Sequence, residues 1–461
     1  MPTDTLPKSD LLSGPGVDIN DFFADESQDP LTHAFSKPID THPGGRSTPL
    51  TGDRIDDAFA GFLGHPRKGK TCAYIHVPFC ESHCLYCGFY RKRYDDDGQS
   101  RRYTDALVSD LRAWAKTPSQ AQGPVHAVYI GGGTPTALRA ADLRRILLAV
   151  HETLPLANDC EITVEGRIRN FGPEKMEACL EGGANRFSIG VQTFDTALRQ
   201  SMRRMAGREE VVEGLNRLVA YDRAAVVIDL IYGFPGQTMD MWEDDLNTLL
   251  ALGIDGADLY QLKTLPGTPL ARAVEKGRLP VPADRPDRAR MYARGVAVMA
   301  AAMYRHLTVN HWGRTSRERN LYNHMVKGPA DCLAFGPGAG GNLGGYFFFI
   351  EPDYGKWRTA VMDQGRKPIA MMQALSPYNT LEKTIAAELE LCRINPGQIG
   401  DRFGLPLAGI LAPLYRQWTR AGLMESKGGW FVLTTAGQFW QVNLVQLTIN
   451  YLFHTYFKEK T

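Results

Sequence analysis

Three cysteines, Cys80, Cys84 and Cys87, stand at spacings of three and two intervening residues in the run Cys-Glu-Ser-His-Cys-Leu-Tyr-Cys. Three thiolates on one short loop can hold three irons of a [4Fe–4S] cube and leave the fourth iron open. Electron-transfer clusters take four cysteines, so a loop offering three implies a cluster that binds something else. A zinc loop is the competing chemistry. Structural zinc usually wants four ligands in paired C-x2-C form, and no second such pair occurs in the chain. The other five cysteines, Cys72, Cys160, Cys179, Cys332 and Cys392, stand singly in apolar or helical surroundings and read as small buried hydrophobes.

Six strand–helix units have to position this loop. Apolar strands are expected over 72–79, 127–130, 161–165, 186–192, 226–232 and 259–265, with helices between them. Their stripes include Tyr103, Leu107, Leu111 and Trp114, and later Leu143, Ile146, Leu147 and Val150. Alternating strands and helices predict a parallel sheet with right-handed crossovers. Strands apolar throughout fit a sheet covered on both faces. Polar candidates recur where one strand after another ends, as in a barrel or an open α/β sheet. Periodicity alone does not separate those two.

Residues 1–70 are rich in Pro, Gly, Ser, Thr and Asp and read as an irregular N-terminal extension. His33 and His42 there could meet a metal or a haem, although surface histidines are the commoner outcome. Residues 71–375 form the main domain. Its last part carries a glycine run from Gly336 to Gly345 that feeds the aromatic stretch Tyr346–Phe349, backbone able to approach a large flat ligand closely. Residues 376–461 change character: two or three helices precede a hairpin around Lys427-Gly428-Gly429, an order resembling a winged helix. Basic residues there are too scattered for a phosphate-tracking face.

At 461 residues and 43% hydrophobic the chain can bury a large core, and a net charge of +1 argues against a nucleic-acid partner. No apolar run approaches the length of a membrane span. The polar N-terminus has no signal-peptide pattern. Free thiols and an exposed cluster point to the reducing cytoplasm.

The spacing of Cys80, Cys84 and Cys87, with an aromatic just before the last cysteine, resembles the signature of the radical S-adenosylmethionine (SAM) superfamily. The longer string from Tyr74 through His76, Pro78 and Phe79 to Gly88 is similar to its coproporphyrinogen-dehydrogenase-like branch. The resemblance implies an α/β fold: a partial (β/α)6 barrel with a small C-terminal α+β domain. It also implies that the open iron chelates SAM and that the reduced cluster cleaves it to a 5′-deoxyadenosyl radical. Gly131-Gly-Gly-Thr-Pro135, about 44 residues after Cys87, stands where the family has its SAM-contacting run. Carried over residue by residue, Tyr74, Gly132 and Glu165 would contact the cluster-bound SAM. Tyr86, Gly133, Thr134, Gln192, Arg204 and Asp229 would contact a second SAM, one molecule making the radical and one supplying the methyl group.

Phe89 stands where coproporphyrinogen dehydrogenases carry a further cysteine, and Arg167 after Glu165 also departs from their pattern. The runs Gly88–Tyr90, Val164–Arg167 and Asp29–Phe35 look like the anaerobic haem-utilisation enzymes of the anaerobilin synthase type. That resemblance implies oxygen-independent opening of haem with methyl transfer and iron release, fed by an electron donor such as flavodoxin or a flavin reductase. His311 and His324 are the candidate axial ligands, and Arg167, Lys263, Arg314 and Arg317 the candidate partners of the propionates. Two alternatives stand beside this reading. One is coproporphyrinogen dehydrogenation, or methylation of another porphyrin. The other is a non-catalytic haem chaperone on the same scaffold.

Overall fold

The computed structural model describes residues 18–39 and 46–457, so His42 lies outside the described residues. The described residues divide into two compact units, residues 47–284 with 297–375 and residues 18–39 and 46 with 285–296 and 376–457.

The larger unit is built on strands β1 (Thr71–Val77), β2 (Val125–Gly132), β3 (Leu156–Gly166), β4 (Arg186–Gln192), β5 (Ala225–Tyr232) and β6 (Gly256–Gln261). Each pairs in parallel with the next. The sixth ends four residues before the expected Leu265, whose stretch instead enters a loop. Two further strands extend the sheet at its sides. β7 (His311–Gly313) lies antiparallel to β6, and β8 (Asp331–Phe335) lies parallel to β1. The described residues form a thirteen-stranded sheet with Ser47–Leu50 at one edge and Arg305–Thr308 at the other. The sheet therefore does not close on itself, and a partial barrel is the result.

Local chemistry explains the elements. β1 and β5 are almost entirely buried, as strands covered on both faces must be. The helix Asp97–Trp114 is started by Asp96, whose side chain accepts from the Gln99 amide, and Met239–Leu252 stops at Gly253 in the left-handed conformation. Parallel pairing brings the ends of the strands (Val77, Gly132, Gly166, Gln192, Tyr232, Gln261) to one side of the sheet.

The smaller unit has its own core. Helices Asn379–Glu390, Pro396–Phe403 and Leu407–Arg420 precede the hairpin Met424–Lys427 with Trp430–Leu433, the winged-helix-like order. The N-terminal stretch is part of this core. Phe22, Ala34 and Phe35 are buried with Leu411, Trp418, Trp440 and Leu444. The Trp418 indole donates to the Phe22 carbonyl at 3.1 Å, and that of Trp440 to the Pro30 and Leu31 carbonyls at 3.0 Å. The first 70 residues are thus not one extension. Residues 18–39 complete the smaller unit, while Ser47–Leu50 and Asp53–Leu63 belong to the larger. Apolar anchors as sparse as Phe22 and Phe35 suffice because two tryptophans wait for them.

Candidate functional site

The cysteine loop is a closed excursion from the end of β1. Phe79–Cys80 pairs in parallel with Lys92–Arg93, and the Tyr94 amide donates to the Cys80 carbonyl at 3.0 Å. The Leu85 amide donates to the Met202 carbonyl, and the Leu85 carbonyl accepts from the Leu270 amide at 2.9 Å. Cys80 and Cys84 are buried, Cys87 is half-buried, and all eight cysteines are unbridged. Burial alone would push the Cys84 thiol up, but the Arg204 guanidinium, with Arg167 and the Tyr86 hydroxyl behind it, holds it below the usual thiol range. Arg204 Nη1 lies 3.4 Å from Cys84 Sγ and 3.2 Å from the Tyr86 hydroxyl, and Nη2 donates to the Gly190 carbonyl. Cys80 is different. Burial raises its pKa, against the Thr134 hydroxyl 3.4 Å away and the more distant Arg167. A loop of three thiols, one of them with its pKa held below the usual range by a guanidinium, fits a cluster ligand set.

Gly131, Gly132 and Gly133 bring bare backbone to the end of β2. A Cβ on Gly132, whose φ is +113°, would fall 2.5 Å from the His76 ring, and one on Gly133 would fall 2.6 Å from the Phe79 carbonyl oxygen. Glu165, ending β3, accepts from the Tyr129 hydroxyl at 2.6 Å and the Gly132 amide at 3.0 Å, and burial pushes its carboxyl up. Tyr74 stands opposite Tyr129 in register and stacks on it, while Tyr322 stacks on both. The Tyr74 hydroxyl lies 2.9 Å from His76 Nδ1, and His76 Nε2 lies 3.3 Å from the Tyr90 carbonyl. A carbonyl only accepts, so Nε2 carries the proton and the Tyr74 hydroxyl donates to Nδ1. Burial lowers the His76 pKa to about 4, which keeps the ring neutral.

At the end of β4 a register shift turns Gln192 into the left-handed region, φ 77°. Its buried Oε1 has no hydrogen-bond partner among the described residues, nor has the buried Nε of Arg204. Asp229 on β5 lies on the same side. A Cβ on Gly190 would sit 2.8 Å from Gln192 Nε2, 3.7 Å from Arg204 Nη2 and 3.9 Å from Asp229 Oδ2. Burial, then the Asp258 and Glu165 carboxylates, push Asp229 up to about 7. Strained backbone and orphaned buried polar atoms in one place are the mark of a site that expects a ligand.

The structure separates the residues proposed for haem. Arg167 follows β3 and donates to the Ser82 carbonyl and hydroxyl, both at 3.2 Å, and Lys263 follows β6, so both lie at the cysteine-loop end. The others lie at the opposite end or are committed elsewhere. His311 is buried with Nδ1 3.0 Å from Asp258 and Nε2 2.9 Å from Glu318, which leaves no nitrogen for iron. Arg314 donates from Nε to the Ile254 carbonyl at 3.1 Å, and Arg317 pairs with Asp222 and donates to the Ala224 carbonyl, all just before β5 and β6 begin. His324 is exposed on the helix Leu321–Lys327, whose Met325 packs with Cys72, Ala127 and Cys332 at the starts of β1, β2 and β8. His33 is exposed in the smaller unit beside Thr32, 2.7 Å away. Sequence reading passed over Tyr129, His76 and Asp258. Period two along β1 would have found His76, which shares a face with Tyr74.

A model of the radical SAM superfamily matches residues 74–249. The chain is 43% identical over 380 residues to anaerobilin synthase from Escherichia coli O157:H7, covering 82% of this chain and 83% of that protein. It is 27% identical over 368 residues to the heme chaperone HemW of Bacillus subtilis, covering 79% of this chain and 96% of that one. Among solved structures, coproporphyrinogen III oxidase (HemN) from Escherichia coli, 21% identical, superimposes with a TM-score of 0.75 over 89% of this chain and 96% of its own.

Proposed function

This chain belongs to the radical SAM superfamily and, within it, to the family of anaerobilin synthase, and on that footing we propose that it opens the haem macrocycle without oxygen, with methyl transfer from SAM and release of iron. One observation carries the reading: 43% identity over 83% of a protein named anaerobilin synthase. Phe89, 71% exposed where the sequence pattern of coproporphyrinogen dehydrogenases has another cysteine, supports it.

A [4Fe–4S] cluster and SAM are the cofactors. When bound, they supply a 5′-deoxyadenosyl radical and a methyl group. Cys80, Cys84 and Cys87 hold the cluster, with Arg204 and Tyr86 steadying the Cys84 thiolate. Tyr74, Gly132 and Glu165 receive the cluster-bound SAM. Gly132 lets backbone approach it, and Tyr74, whose proton is committed to His76, offers it an acceptor oxygen. The second SAM is held by Tyr86, Gly133, Thr134, Gln192, Arg204 and Asp229. There the free carbonyl of Gln192 and the free Nε–H of Arg204 give an acceptor and a donor, and Asp229 suits ribose hydroxyls or an ammonium. Arg167 and Lys263, at the cysteine-loop end, are the proposed partners of the haem propionates. Electrons come from a flavodoxin or a flavin reductase in the cytoplasm, a reducing compartment in keeping with eight unbridged cysteines. No helix among the described residues is long and apolar enough to cross a membrane.

The test is anaerobic incubation of reconstituted protein with SAM, a reductant and haem. The Soret band should bleach and a methylated linear tetrapyrrole should appear by mass spectrometry. An intact Soret band beside cleaved SAM rules the proposal out. Protoporphyrinogen and carbon dioxide from coproporphyrinogen would replace it with the dehydrogenase reading.

A further inference from the structure

Beneath Asp229 the barrel interior holds a line of ionisable groups that the cofactor roles do not use. Asp229 and Asp258 are register partners on neighbouring parallel strands, so both side chains face the same way. Asp258 is in turn the register partner of His311 on β7. The His311 ring lies between two carboxylates: Nε2 hydrogen-bonds Glu318 at 2.9 Å, and Nδ1 comes within 3.0 Å of Asp258 as a charge contact without hydrogen-bond alignment. Glu318 then takes Arg186 Nε at 3.0 and 3.2 Å and Nη2 at 3.1 Å. Asp258, His311, Glu318 and Arg186 are at most 3% exposed. Asp229 alone is half-buried and reachable, with the Ser188 hydroxyl 3.4 Å from its Oδ1.

A count of charges decides what this line does. Both nitrogens of His311 face carboxylates, so the ring holds both protons. Burial opposes that charge, but Asp258 and Glu318 outweigh it and push the ring up to about 9. Two anions, Asp258 and Glu318, therefore meet two cations, His311 and Arg186. Among these four groups the charges balance, so an ionised Asp229 adds one further negative charge to the line. The groups that face Asp229 are Glu165 from β3, Arg186 and Ser188 from β4, Asp258 from β6, His311 from β7 and the Tyr129 hydroxyl from β2, with Arg204 and Gln192 around Gly190. An ionised Asp229 thus adds a negative charge beside two other carboxylates, Asp258 and Glu165. A sulfonium or ammonium ligand would bring a positive charge to offset it.

We infer that the His311–Asp258 pair governs the charge of Asp229, so that Asp229 gives up its proton to solvent as a cationic ligand enters. His311 is then a positioning residue, acting through Asp258, rather than a ligand of iron. This rests on the assignment of Asp229 to the second SAM.

The experiment is equilibrium binding of SAM to the reconstituted, unreduced protein across pH 5.5–9, with S-adenosylhomocysteine as the probe that lacks the sulfonium charge. Wild type should bind the second SAM about tenfold more tightly at pH 8 than at pH 6, the change expected when a carboxyl titrating near 7 must ionise. S-adenosylhomocysteine should show a smaller change. The two variants should move the midpoint in opposite directions. His311→Asn leaves Asp258 uncancelled and raises it; Asp258→Asn removes a like charge and lowers it. A general loss of structure would move both the same way. Midpoints unchanged in both variants, while Asp229→Asn abolishes the pH dependence, would overturn this inference and leave the SAM assignment standing. An unaltered profile in Asp229→Asn would instead overturn the assignment of Asp229 itself, and this inference with it.

Discussion

The two ends of the barrel are built on opposite principles. Where the strands begin, charges are paired off. Arg186 meets Glu318, Arg317 meets Asp222, and Arg319 reaches Asp159 at 3.0 Å. Where the strands end, the chain carries costs. Gln192 sits at φ 77°, Gly132 at +113°, two buried polar atoms lack partners, and Glu165 and Asp229 are both pushed up by burial. Strain and unmet polar groups of this kind persist only where the surrounding structure enforces them. The same sheet supplies both ends, so the difference separates what holds the barrel together from what the barrel is for.

The largest effect should come from the loop itself. Cys84→Ala removes the one sulfur held by a guanidinium, and iron content and SAM cleavage should both fall to background. Full cleavage by that variant would sink the cluster assignment. Gly132→Ala should follow. Its Cβ has no room beside His76 and its φ disfavours any side chain, so SAM affinity should drop at least about tenfold while circular dichroism stays native.

The paired end should answer in stability. Glu318→Gln leaves Arg186 and His311 without their shared carboxylate, and breaking such a buried set costs about 3–5 kcal/mol. Burial opposes the Glu318 charge, but Arg186 and His311 hold its pKa down at about 2. Its contribution is therefore complete above the ordinary carboxyl range and is lost as pH falls from about 4.5 toward 2. Thermal denaturation of wild type and variant should converge below that window.

The smallest and most telling effect has the opposite sign. The folded state raises the pKa of Asp229, so ionising it destabilises the ligand-free protein as pH climbs from about 4 to 7. Asp229→Asn should melt higher than wild type at pH 8, by on the order of 1–3 kcal/mol after allowance for partial exposure, and match it near pH 4. A variant less stable at pH 8 would erase the contrast between the ends.

Much of this contrast was legible in the sequence. β4 carries the expected bounds, and the residues taken from the strand ends (Gly132, Glu165, Gln192, Asp229) do gather at one side of the sheet. Strand periodicity and the cysteine spacing are local, and local signals survive into the fold. What was not legible depends on pairing at a distance. β8 reaches β1 from more than 250 positions away, and nothing in Asp331–Phe335 marks it as parallel. His311, in Asn-His-Trp-Gly, reads the same whether it faces iron or two carboxylates. Only the register of β7 on β6 places Asp258 against it. The contribution of Phe22 and Phe35 to the smaller core likewise depends on Trp418 and Trp440, nearly four hundred residues on.

The central claim, that this barrel end opens haem with a methyl group taken from SAM, has a direct test. Haem, reductant and SAM carrying a trideuterated methyl group are incubated with the reconstituted protein without oxygen, and the tetrapyrrole product is weighed. A linear tetrapyrrole heavier by the labelled methyl group, with free iron released, is the predicted result. Formation of 5′-deoxyadenosine while haem keeps its mass, its iron and its unlabelled macrocycle would contradict the account.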